Sequence, residues 1–191
     1  VFTTTSLTAA EIHQAGLDNV ERLHSEMRAV MAELGERGDL AAFLARLRND
    51  QTLRFPDTEE GRLAYLDAAR SAIDDMAERL PAYFGVLPRA ELVVKRVEAY
   101  RERSAGKAFY QRPPSDESRP GIYYANLYDM NSMPKTELEA LAFHEGLPGH
   151  HLQLSIAAEL SHVPDFQRHT RFTAFSEGWG LYSEYLAKEM G

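Results

Sequence analysis

The sequence predicts a mainly α-helical chain with a small antiparallel β-sheet, an α+β arrangement. Apolar residues recur at helical spacing through the first 84 positions and again after Lys135, and two short β-branched and aromatic runs lie between them. With 191 residues, 44% of them hydrophobic and 26% charged, the chain can bury a core and has ordinary globular composition.

The elements follow in order. Thr8 and Glu11 form a capping box, after which Ile12, Leu17, Val20, Leu23, Met27, Val30 and Leu34 define one long amphipathic helix ending at Gly35. A second helix is expected from Asp39 to Arg48, with Leu40, Phe43, Leu44 and Leu47 on one face. A third is expected from Thr58 to Leu80 on the stripe Leu63, Leu66, Ala69, Ile73, Met76 and Leu80, ended by Pro81. Strands are expected at Leu92–Ala99 and at Gly121–Met130, "GIYYANLYDM", with a charged, proline-bearing loop from Ser104 to Pro120 between them. Helical period returns at Lys135, runs into "AFHEGLPGHHLQLSIAAEL", and resumes after Pro164 as a last helix from Asp165 to Met190. Residues 1–84 thus read as helical scaffold, 85–134 as sheet and loops, and 135–191 as two helices rich in polar groups. The whole reads as one domain or the central fragment of a longer chain, starting as it does at Val1 without a leader pattern.

Composition excludes several functions. With no cysteine there is no disulfide, thiolate metal site or cysteine nucleophile, so a metal would be held by His, Asp or Glu. A formal charge of −8 argues against a nucleic-acid partner, and no apolar run reaches transmembrane length. The absence of cysteine fits cytosol and periplasm equally.

The densest chemical signal is His144-Glu145-Gly146-Leu147-Pro148-Gly149-His150-His151. In the HExxH zinc-peptidase motif two imidazoles one helical turn apart reach one Zn²⁺ while the Glu polarises water. Here Pro148 stands where the second His would be, and the next histidines are six and seven residues after His144. In a regular helix six residues turn about 600° and seven about 700°, so unbroken geometry would choose His151. Pro148 and Gly149 favour a bulge instead, which would return His150 to the ligand position while His151 stays an alternative. A third ligand is expected from "FSEGWGLYSE". Glu177 is the first choice, and Glu184, on the same helix face, is an alternative ligand or an acceptor for a ligand imidazole. His169 falls on that stripe as a weaker candidate. Gly178 and Gly180 inside a helix suggest close approach of another group.

"HEGLPGHHLQ", with "GIYYANLYDM" upstream, "FSEGWGLYSE" downstream and "TTSLTAAEIHQAGLDNV" at the start, resembles the bacterial domain of unknown function 885 (DUF885) family. The resemblance spans essentially the whole chain. It implies a zincin-like catalytic region of the Glu-ligand, gluzincin-like type in a longer bacterial metallopeptidase, acting on peptide substrates, with the remainder of that chain as its partner. In related families whose motif ends in Gly-His, the His after the Gly is the ligand, which favours His150. The implied site is therefore Zn²⁺ on His144, His150 and Glu177, with Glu145 as general base.

Tyr123, Tyr124, Tyr128 and His151 are the local candidates for stabilising an oxyanion, and Asn126 or Asn131 for binding substrate amides if the Gly121–Met130 strand is an edge. For most of these tyrosines, packing is the plainer reading. Arg112 and Arg119 could meet a substrate carboxylate, though the sequence singles out neither, and His13, His24 and His162 carry no assigned role. A zinc hydrolase of another amide or ester, or a catalytically incomplete helical binding module, are the alternative functions.

Overall fold

Side-chain caps set where the first helices begin. The computed structural model describes residues 5–114 and 118–191, without the side chain of His169; residues 115–117 of the expected charged loop lie outside the described residues. The chain divides into two compact units, one ending at Thr52 and one running from Leu53 to Gly191. In the first, Thr8 Oγ1 accepts from the Glu11 amide while the Glu11 carboxylate accepts from the Thr8 amide, opening helix α1 (Ala9–Glu33). Asp39 caps α2 (Leu40–Asn49) by accepting from the Ala42 amide. Met31 is the buried residue of α1, whereas the expected stripe from Ile12 to Leu34 remains exposed.

The second unit is built on α3 (Glu59–Tyr83), capped by Thr58. Its buried face is Tyr65, Leu66, Ala69, Ile73, Met76 and Leu80; Tyr65 takes the place expected for Leu63, which is 52% exposed. Pro81 lies inside the last turn rather than ending the helix, since a missing donor there removes one bond and the Phe84 amide still reaches Leu80 O at 2.9 Å.

Three strands follow: β1 (Leu92–Arg96), β2 (Ala108–Gln111) and β3 (Gly121–Ala125), in the order β1-β3-β2. The expected all-antiparallel sheet is in fact mixed. β3 runs parallel to β1, with Val94 opposite Tyr123, and antiparallel to β2, with Tyr110 opposite Tyr123. The segment between β1 and β3 is long enough for a parallel return, and part of it pairs as β2 where a loop was expected. β2 is four residues long and is followed by Pro113 and Pro114, so its local signal is weak. The central strand is therefore the one expected to be an edge. Every residue of β3 is buried, and both of its sides are paired.

One sheet face packs on α3 together with α4 (Lys135–Glu145), α5 (His150–Glu159) and α7 (Thr173–Met190), through Val94, Tyr123, Ala125, Leu138, Leu152 and Met190. The other face carries Val97, Ile122 and Tyr124. The last expected helix is interrupted: α6 (Asp165–His169) ends at Thr170, and α7 begins only after Phe172. His169 therefore does not continue the helix face that carries Glu177 and Glu184. No helix among the described residues is long and apolar enough to cross a membrane.

Candidate metal centre

The Pro-Gly break does more than bulge a helix; it ends one and starts another. α4 stops at Glu145, α5 starts at His150, and the His151 amide donates to Gly146 O at 3.0 Å across the turn. Gly149 makes this turn possible, because a Cβ there would stand 2.0 Å from His144 O. From α7, Trp179 Nε1 donates to Pro148 O at 2.8 Å and fixes the turn against that helix.

This arrangement brings His144 and His150 together, with ring centroids 4.7 Å apart. One ligand atom from each of His144, His150 and Glu177 lies within 4.8 Å of the others, a set able to hold a metal ion. Both imidazole Nε2 atoms stand 3.5 Å from Glu177 Oε2. His144 Nδ1 donates to Glu184 Oε1 at 2.8 Å, which leaves its Nε2 lone pair toward the cluster. Burial lowers the His150 pKa and favours the neutral ring, while its Nδ1 is buried without a hydrogen-bond partner. Gly180 is needed here: a Cβ would lie 2.7 Å from His144 Nε2, whereas one on Gly178 would meet open space.

Glu145 is buried beside this set, 7% exposed. Burial raises its pKa to about 7, opposed by His144 and the Tyr110 backbone amide and reinforced by Glu177.

His151 points elsewhere. Its Nε2 lies 3.0 Å from Ala90 O, an acceptor only, so Nε2 carries the proton, and Tyr110 donates its hydroxyl to Nδ1 at 2.9 Å. Burial lowers its pKa to about 4, which keeps the ring neutral. His151 thus ties α5 to β2 and to the chain before β1.

The family model for "Bacterial protein of unknown function (DUF885)" matches residues 1–191. The chain belongs to the DUF885 family. No curated protein matches it. Among solved structures, the DUF885 chain is similar to the crystal structure of "the putative lipoprotein from Colwellia psychrerythraea", with TM-score 0.94 and 31% identity over 98% of this chain. It spans 32% of that protein's length.

Several sequence candidates of the DUF885 chain lie away from the cluster. Tyr123 is fully buried in the core, and Tyr124 stacks on Phe109 at 4.8 Å on the opposite sheet face, under the Arg101 guanidinium. The Asn126 amide donates to the carbonyls of Glu102, Ala105 and Gly106, so it clamps a turn, and with Tyr128 it lines a separate surface pocket away from the cluster. Tyr128 stands beside Arg103, with the guanidinium 5.4 Å from its ring. The side chain of His169 lies outside the described ones.

A cleft of about 280 Å³ opens beside Glu145, His150 and Glu177, walled by β2, α5 and the approach to α7. Sequence reasoning missed β2 and the basic residues of this cleft, Arg168 and Arg171. The alternation in "AFYQ" was a faint signal of the strand, but nothing local shows that Arg112, Arg168 and Arg171 share one opening.

Proposed function

We propose that this DUF885 chain carries the zinc centre of a metallopeptidase that hydrolyses peptide bonds. The convergence of His144, His150 and Glu177, with Glu145 buried beside them, carries this reading. Bonds of about 2.0–2.1 Å in a tetrahedral site put ligand atoms about 3.4 Å apart, close to the 3.5 Å from each imidazole to Glu177. Two nitrogens and one oxygen match the donor set of catalytic zinc sites, which keep a fourth position for water. When bound, zinc supplies Lewis acidity and makes water acidic enough to ionise near neutral pH.

The chain's own groups divide the remaining work. Glu145, buried next to the ligand His144, accepts a proton from water and delivers it to the leaving amine. Glu184 orients His144. β2, the sheet edge beside the cleft, offers main-chain groups to an extended peptide in place of the buried β3.

Metal content measured by plasma emission, on the purified protein and on Glu177→Ala and His150→Ala, tests the centre: stoichiometric zinc in the parent and loss in both variants is expected. A parent without zinc under chelator-free conditions defeats the reading. For the reaction, full-length protein is compared with Glu145→Gln on a mixed peptide library. Full activity in that variant removes Glu145 from the proton-transfer role.

A further inference from the structure

Three arginines line the cleft from separate parts of the chain: Arg112 just after β2, Arg168 on α6, and Arg171 before α7, Arg168 also lining a neighbouring pocket beside Glu159. They concentrate positive charge in a molecule of net charge −8. Among the described residues their protein partners are few. Arg168 pairs through Nη2 with Asp165, whose side chain is 81% exposed, while Arg168 Nε is buried with no hydrogen-bond partner. Among the described residues Arg112 makes one long contact, 3.5 Å, to the neutral carbonyl of Arg168. Arg171 has no ion pair among the described residues. The acidic side chains that line the same cleft are Glu145 and Glu177, the first buried next to His144 and the second held at the two imidazoles. Neither is paired with an arginine among the described residues.

A buried guanidinium donor without an acceptor carries a desolvation cost that an incoming anion removes, and planar guanidinium groups match carboxylates in paired hydrogen bonds. We infer that Arg112, Arg168 and Arg171 form a subsite for a carboxylate of the peptide substrate, either its C-terminus or an Asp or Glu side chain. The apolar walls Leu154, Ala157, Phe172 and Phe175 accept the adjoining side chain. A volume of about 280 Å³, near the lower end for ligand pockets, fits the end of a peptide better than a long stretch of it. The inference rests on the metallopeptidase reading only in taking the ligand to be a peptide.

The test is equilibrium binding to the full-length Glu145→Gln protein, with zinc and after chelation. Three tetrapeptides of otherwise identical sequence serve as probes: one with a free C-terminus, its C-terminal amide, and an amidated form carrying one Glu. At least one carboxylate peptide should bind tenfold or more tighter than the neutral amide, and which one does so identifies the source of the carboxylate. Arg112→Gln, Arg168→Gln and Arg171→Gln should each shrink that preference, Arg171→Gln being at an exposed position where folding is not in question. Equal binding of all three peptides overturns the subsite, as does a preference that survives Arg112→Gln and Arg171→Gln. If the parent holds no zinc and cleaves nothing yet the preference persists after chelation, the metallopeptidase reading fails and the subsite stands. If the parent cleaves all three peptides with equal kcat/KM and Glu145→Gln binds all three equally, the subsite alone fails.

Discussion

His144 Nδ1 donates to Glu184 Oε1 across 2.8 Å, from α4 to the facing turn of α7. The bond holds the ring with Nε2 toward Glu177 and His150, so Glu184 governs the cluster without joining it. Replacing Glu184 with Ala is expected to weaken zinc binding about 10–100-fold while stoichiometry at saturation remains one, read by competition with a chromogenic chelator. Unchanged affinity would show that His144 needs no orienting partner.

The two adjacent histidines should separate cleanly. His150→Ala is expected to abolish stoichiometric zinc. His151→Ala should keep zinc but lose stability, by about 2–4 kcal/mol in urea unfolding, because Ala90 O and the Tyr110 hydroxyl lose their buried partner. The reverse pattern would transfer the ligand role to His151.

Gly180 and Gly178 offer a paired comparison on one helix. A methyl at 180 must push against the His144 ring at 2.7 Å, so Gly180→Ala should reduce zinc affinity at least tenfold. At 178 nothing lies within 4 Å, and Ala should stabilise α7 by up to about 1 kcal/mol with metal binding intact. Equal zinc affinity in both variants would contradict the packing of Gly180 on the His144 ring.

The metal-free protein should depend on pH through Glu145. Its pKa rises from 4.5 unfolded to about 7 folded, so the neutral carboxyl favours the fold fully below pH 4.5, and that support is lost as pH climbs through 7. The difference corresponds to about 3 kcal/mol. Lowered from 6.5 to about 4, His151 works the other way, costing stability as pH falls below 6.5. The two slopes nearly cancel between pH 4.5 and 6.5. Metal-free Glu145→Gln should therefore gain in Tm relative to the parent between pH 5 and pH 8, measured by calorimetry. A constant difference across that range would mean that Glu145 is ionised in the fold throughout.

Local chemistry explains what was legible from residue order. Thr8, Asp39 and Thr58 cap helices through amides three residues away, and each such start was readable. The break around Pro148 and Gly149 was readable for the same reason, since the missing donor and the absent Cβ act within one turn. β2 was not, because four residues beside prolines become a strand only by pairing with β3. The break at Thr170–Phe172 also escaped the apolar period, and with it the idea that His169 shares a stripe with Glu177.

The family, the helical frame, the proposed metal ligands as residue types and the exclusion of thiolate chemistry were all legible in residue order. Tertiary structure decided which imidazole turns inward, which strand is the edge, and which arginines share a cleft. The direction of each imidazole depends on contacts 40–61 residues apart, His144 with Glu184 and His151 with Ala90, and the edge on pairing between strands distant in sequence. Periodicity reports the face of an element a residue occupies; only packing decides what that face meets.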